Sequence, residues 1–444
     1  MRSLPLSARI LPLALTGLLT SPASATTAEA TAETAPSIEL LSPQITAWRR
    51  DFHQHPELSN REQRTAGIVA SELKKLGYAV QTGLAHTGVI GILEGGRPGP
   101  KLAIRADMDG LPVTEEVDLP FASKARGEYL GKDVGVMHAC GHDAHMAMTL
   151  GVAAALAAQR DTLPGSVMFI FQPAEEGAPP GEEGGAPLMV KEGVFKDFKP
   201  DAIFGMHVVS ALPVGTVSLR EGGQMASSDT FRIVVHGRQS HGAMPWAGID
   251  PIVTAAEIVT AAQTIVSRKL DINKEPAVVT FGIFDGGSRF NIVPDTAELQ
   301  GTVRAFDPDM RDQALASLTS IAEHIAAAHG ATVDAQIPLS KDSSNPVNYN
   351  DPALARRVRA SLQRTLGAAQ VQEARRWTAS EDFPHLGRAI DVPSVYFFVG
   401  VTPEGTDPAT APSNHSPRFY LDEGALYVGS AAMLQAALDF LGAD

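Results

Sequence analysis

Hydrophobic positions along the chain alternate between two rhythms. Short unbroken apolar runs, Gly165 to Phe171 and Asp201 to Val208, read as strands covered on both faces. Helical spacing fills the stretches between. Ile45 to Leu76 predicts a helix in two pieces, interrupted near Pro56 and stopped by Gly77, and an alanine-rich helix runs to Gln159 with Asp143 placed to cap it. With Val89 to Leu93 and Lys101 to Ala106 as further strands, positions 43–222 form a βαβ alternation, which predicts a mostly parallel sheet covered by helices. Near 223 the order changes. Strands at Thr230 to His236, Ala277 to Ile283, Glu298 to Phe306 and Ala331 to Ile337 enclose helices at Pro251 to Arg268 and Pro308 to His329, which is the βαββαβ ferredoxin-like order. The first rhythm then resumes in Asp351 to Leu366, Ser394 to Val399 and Leu421 to Leu441. The expected fold is α/β: one domain split into 41–222 and 339–444, with a small α+β lid domain inserted at 223–338.

The N-terminus changes the picture of location. Arg2 and Arg9 precede an apolar core from Ile10 to Leu19, and Ala23-Ser24-Ala25 forms an A-x-A site, so 1–25 reads as a cleavable signal peptide. Its core is shorter than the roughly 20 apolar residues of a membrane span. Export to the periplasm or medium is expected, followed by a disordered leader over 26–40. Without Arg2 and Arg9 the chain has 34 basic against 50 acidic side chains, a net charge of about −16. Nucleic acid and anionic membrane are therefore not expected partners. The single cysteine, Cys140, excludes an internal disulfide, and in an exported protein metal coordination is one reason for a lone thiol.

Chemistry gathers around that cysteine. Cys140 and His142 lie in a loop entering a helix, and Glu175-Glu176 follow a buried-type strand. Asp107 and Asp109 follow another strand, His207 ends a third, and His415 lies in a polar loop. An isolated histidine is most often structural, and paired glutamates are most often solvated charge. Here they converge on one edge of the inferred sheet, where open α/β sheets place ligands. A hydrolytic metal site needs three or more such ligands and a nearby base. Residues alone lead to a metal-dependent hydrolase.

The segments Arg49 to Ser59, Arg105 to Pro112, Met137 to His145, Gln172 to Gly177 and Gly205 to His207 resemble the M20 metallopeptidases. Ser240 to Pro245, Asn291 to Pro294, Gly301 to Arg304, Ser380 to Phe383 and Asn414-His415 continue the resemblance in order. Within that family the chain is similar to the amidohydrolase branch of hippurate and indole-acetyl-amino-acid hydrolases. The resemblance implies a zinc-exopeptidase-like fold and one or two divalent metals held by Cys140, His142, Glu176, His207 and His415. Zinc or manganese is expected, with cobalt or nickel also able to serve. Glu175 would be the general base toward a metal-bound water, and Asp109 would orient the region. His241 would stabilise an oxyanion, often across a dimer, while Asn291, Arg304 and Ser380 would contact substrate. Other branches carry histidine at the position of Asp107 and a bridging aspartate at that of His142; here Cys140 replaces the lost ligand. The implied reaction is hydrolysis of N-acyl or N-aroyl amino acids by a homodimer, with carboxypeptidase or dipeptidase action on short peptides as the alternative.

Overall fold

The computed structural model describes residues 34–340 and 344–443, so the expected signal peptide lies outside the described residues. Helices α1 (Thr34–Gln54) and α2 (Gln63–Lys75) lead into strands β1 (Ala79–Leu84), β2 (Gly88–Glu94) and β3 (Arg97–Asp107). A hairpin of β4 (Arg126–Tyr129) and β5 (Lys132–Gly135) precedes α3 (His142–Ala158), β6 (Pro164–Gln172), α4 (Gly185–Lys191), β7 (Ala202–Pro213), β8 (Val217–Leu219) and β9 (Gly222–Met225). Residues 34–40, expected in the leader, instead open α1. Ile38 and Ile45 are fully buried in the same apolar cluster, which rewards extending the helix.

The second rhythm forms β10 (Asp229–His236), β11 (Ser240–His241), α5 (Pro251–Thr264), β12 (Ala277–Gly286), β13 (Ile292–Val293), β14 (Thr296–Ala305), α6 (Pro308–Ala328) and β15 (Thr332–Gln336). Its four long strands pair antiparallel in the order β12-β14-β10-β15, the ferredoxin-like arrangement, over an apolar cluster shared with α5 and α6. The chain then returns through β16 (Asn348–Asn350), α7 (Pro352–Leu366), β17 (Val371–Glu373), α8 (Pro384–Ile390), β18 (Ser394–Thr402) and α9 (Gly424–Leu441). Three helices open on an Asp-Pro pair. Asp250, Asp307 and Asp351 each accept a hydrogen bond from the first turn, while the proline needs no partner for a missing N–H.

The large sheet runs β1-β2-β6-β3-β7-β18-β8-β17, parallel through the central run from β6 to β18. Alternate residues face opposite ways. Leu102, Ile104, Val167, Phe169, Phe204, Phe397 and Val399 pack beneath α1, α3 and α9, whereas Ala103, Met168, Ile170, Ile203 and Phe398 face the side of α4 and α8. This double burial explains the unbroken apolar runs, each large side chain contributing on the order of 2 kcal/mol before chain entropy is offset. His207 lies within β7 rather than at its end, because the strand continues beside β18 to Pro213.

Candidate metal centre

Parallel register brings the chemistry to one level. Asp107 pairs with Gln172 across β3–β6, so the Glu175-Glu176 turn rises just beyond the end of β3. Gly141 stands between Cys140 and His142 at φ 95, and a Cβ there would meet Val208 Cγ2 at 2.3 Å. Only glycine fits that turn, which sends Cys140 and His142 to the same side at the start of α3. From the far side, Asn414 Nδ2 donates to the carbonyls of Cys140 and Val208, both at 3.0 Å. It thereby seats His415, itself at φ 72, over the thiol.

The five expected ligands meet. Cys140 Sγ lies 3.3 Å from His207 Nε2 and 3.2 Å from His415 Nε2. Glu176 Oε1 lies 3.2 Å from His415 Nε2 and 3.8 Å from His142 Nε2, and Glu175 Oε2 stands 4.0 Å from the same His142 nitrogen. His207 Nδ1–H donates to the carbonyl of Val208 at 2.7 Å, which leaves the Nε2 lone pair facing the thiol. Burial holds the His207 ring well below the usual imidazole range, as a neutral ligand requires.

The donor set fits a divalent cation. Both ring nitrogens of His142 are buried with no hydrogen-bond partner among the described residues. Burial, followed by the charges of Glu176 and Glu175, pushes the Cys140 thiol well above its ordinary value. Burial opposes a charged His142, but Asp107, Asp109 and Glu176 outweigh it and drive the ring up to about 10. Thiol, imidazoles and carboxylates this close form a cage that calls for positive charge, which a divalent cation held there would supply, favouring the thiolate form of Cys140.

Asp109 and Asp107 do different work. Asp109 accepts from Ser59 Oγ at 2.8 Å and from the N–H groups of Glu175 and Glu176 at 3.0 Å, with its Oδ1 3.4 Å from His142 Nδ1. It thus joins the His142 ring to the Glu175-Glu176 turn. Asp107 is consumed: Arg105 Nη1 donates to one oxygen at 2.7 Å and His145 Nδ1 to the other at 2.6 Å. The remaining nitrogen of His145 accepts the N–H of Val208 at 2.9 Å, so His145 is structural. Asp143 does not cap α3. Arg49 Nε and His53 Nδ1 reach it at 2.9 and 2.8 Å, because a buried carboxylate is better matched by charge than by a helix end.

Other expected contacts divide. A cavity of about 990 Å³ beside the cage is lined by Arg304 and Ser380 together with Trp377, Met225 and Leu188. Among the described residues Arg304 Nη1 is buried without a partner. His241 and Asn291 do not line this cavity; His241 is exposed on β11. Sequence reasoning missed Arg105, which reaches Asp107, Glu381 and Asp382 at 2.7 to 2.8 Å. It also missed Glu62, which burial and the charge of Asp109 push up to about 7. A buried-type strand carrying an arginine two residues before an aspartate was the one available signal for Arg105. Glu175 stands next to that hub, and burial together with Glu381, Glu176 and Asp382 holds it well above the carboxylate range.

The model of peptidase family M20/M25/M40 matches residues 103–439. The chain belongs to the M20 peptidase family. It is 37% identical over 393 residues to thermostable carboxypeptidase 1 of Saccharolobus solfataricus, covering 88% of this chain and 94% of that one. It is 38% identical over 395 residues to an N-acetylcysteine deacetylase of Bacillus subtilis, covering 88% and 95%. Among solved structures, the Bacillus subtilis YXEP protein, a dinuclear metal binding peptidase of the family, superposes with a TM-score of 0.73 at 34% identity, over 91% of this chain and all of that one. This M20 chain is accordingly a metal-dependent hydrolase of amide bonds.

Proposed function

We propose that this M20 hydrolase cleaves N-acyl or N-aroyl amino acids into a carboxylic acid and a free amino acid. One observation carries the choice of substrate. The cavity offers an unpartnered Arg304 for the substrate carboxylate, while its acidic side chains beyond the Glu175-Glu176 pair are already engaged: Glu182 by Arg61, Glu183 by Lys191, and Glu381 and Asp382 by Arg105. Among the described residues a free α-ammonium would find no idle carboxylate, whereas an uncharged acyl group finds Trp377, Met225 and Leu188. The planar fork of arginine suits a carboxylate.

In this reading Cys140, His142, Glu176, His207 and His415 hold one or two divalent ions, zinc or manganese on donor softness. When bound, the ion supplies Lewis acidity and lowers the pKa of water toward neutrality. Glu175 takes the proton of the attacking water and returns it to the leaving amine nitrogen, a task favoured by the buried site that raises its affinity for protons. His241 serves as oxyanion donor from a second copy of the chain. That role is supported by its exposure here and by the exposed Met244, Trp246, Phe284 and Phe290 of the same region. The enzyme acts after export, with 1–25 removed.

Carboxypeptidase action is the second reading, favoured by the identity to the Saccharolobus enzyme. A panel of N-acetyl, N-benzoyl and indole-acetyl amino acids against free dipeptides, with zinc or manganese restored after chelation, separates the two. The proposal expects the blocked substrates to be cleaved faster; cleavage of dipeptides alone overturns it.

A further inference from the structure

Three consecutive backbone N–H groups, those of Ala174, Glu175 and Glu176, point into carboxylates at 3.0 Å each. Asp109 receives the second and third. The first goes to Glu62 Oε1, which belongs to a different part of the chain, at the junction of α1 and α2. The same Glu62 oxygen accepts the N–H of Asn60 at 3.1 Å, and its partner oxygen accepts the hydroxyl of Thr87 at 2.6 Å. Glu62 is fully buried and stands at the N-cap position of α2, yet its side chain does not cap that helix. Its carboxylate is turned away from the ordinary use of such a residue and toward the Glu175-Glu176 turn.

That turn needs an external hold. Ala174 sits at φ 53, a left-handed conformation that costs a side-chain-bearing residue and persists only where surroundings enforce it. The hydrogen bond from its N–H to Glu62 is such an enforcement. Neighbours of Glu62 act on adjacent parts of the same wall: Ser59 Oγ donates to Asp109, Asn60 Nδ2 to Glu182 and the carbonyl of Glu183, and Arg61 to Glu182. Four consecutive residues, Ser59 to Glu62, thus each fasten the turn, its brace or the cavity rim.

We propose that Glu62 is a positioning residue of the hydrolase, holding Ala174 so that the carboxylates of Glu175 and Glu176 are presented at the correct angle to the cage. The inference rests on the roles assigned above to Glu175 and Glu176. What matters is an acceptor oxygen at the reach of a five-atom side chain, not its charge. Glu62→Gln keeps the reach and an acceptor, and Thr87 can reverse its hydroxyl to accept from the amide. Glu62→Asp keeps the charge but falls one methylene short of Ala174.

The test measures kcat, KM and bound metal for both variants in the full-length enzyme at saturating zinc or manganese, with rates expressed per metal-loaded site. Glu62→Gln is expected to keep kcat within about threefold, whereas Glu62→Asp loses about 10- to 100-fold with KM little changed, the size of loss that a misplacement near 1 Å produces. A purely structural role would lower the melting temperature and the loaded fraction but leave kcat per loaded site intact. Wild-type kcat in Glu62→Asp, or a greater loss in Glu62→Gln, overturns the proposal. If Glu62→Asp does not fold, Thr87→Val, which removes only the donor fixing the second carboxylate oxygen, is expected to lose about threefold or more, and no loss overturns the proposal. Glu175→Gln is assayed alongside: turnover lost with metal retained upholds the role on which the inference rests, and an active Glu175→Gln overturns that role separately from any result at Glu62.

Discussion

Around Cys140, donors from the entry of α3, the turn after β6, the middle of β7 and the loop before α9 close into overlapping groups whose ligand atoms lie within 4.8 Å of one another. Across 223–338, by contrast, the three candidate contacts are scattered: Arg304, on β14 of the four-stranded sheet, lines the cavity, while His241 on β11 and Asn291 just before β13, at a separate two-stranded sheet, do not. The cage is built by parallel register and is complete within one chain. The candidate contacts come from two separate antiparallel sheets, and within one chain they are only partly delivered to the site. Chemistry and recognition are thus separable here, and mutations should divide the same way.

The largest expected effect lies in the cage. Glu175→Gln should lower kcat by about a thousandfold or more while metal content measured by elemental analysis stays at the wild-type level. Retained turnover would remove the distinction between the cage and its surroundings. Arg304→Ala should act chiefly on KM, raising it about 10- to 100-fold for substrates with a free carboxylate, as expected for a lost charge-assisted hydrogen bond. The corresponding amide substrates should be insensitive to the same change. An equal loss for both would place Arg304 outside recognition.

A smaller signal tests the scattered residues. Mixing Glu175→Gln with His241→Ala subunits, each inactive alone, should restore about a quarter of wild-type activity if His241 acts across a twofold dimer, since half the dimers are mixed and each carries one intact site. No recovery in the mixture would put His241 in its own chain's site. Smallest is the response to acid. Burial opposes the charge of Asp143, but Arg49 and His53 hold its carboxyl below the usual range. Its stabilisation is therefore present above about pH 4, the unfolded carboxylate value, and is lost as pH falls through the folded one. The urea midpoint of wild type should fall more steeply below pH 4 than that of Asp143→Asn, and equal slopes would contradict the ion-pair account.

Much of this division was legible in the chain. Continuous apolar runs revealed strands covered on both faces, and the expected helix starts at Pro251, Pro308 and Asp351 fall within a residue of those observed. Cys140, His142 and Glu175-Glu176 stood out because thiol, imidazole and paired carboxylates are rarely placed beside buried strands without a use. The Arg105 hub was harder to read. Asp107 lies two residues on in the same strand, but Glu381 and Asp382 are brought in from the loop before α8, and no local spacing encodes that part of the meeting. Glu62 was invisible for a related reason. Its partner is a backbone N–H, and backbone donors carry no residue-type signature. Asp143 was misassigned because helix-start statistics describe exposed ends, whereas the first turn of α3 is buried against α1.

Asp107 sets a limit on how this site can change over evolutionary time. Its two oxygens are already divided between Arg105 and His145, and His145 in turn receives the N–H of Val208, next to His207. A histidine ligand introduced at 107 would leave the buried Arg105 guanidinium without one of its three counter-charges and His145 without its acceptor. The proposed thiolate-containing ligand set is thus held in place by residues outside that set. Descent to another ligand set has to pass through several coordinated substitutions, and a library of single mutants at 107 should contain no active enzyme with exchanged ligands.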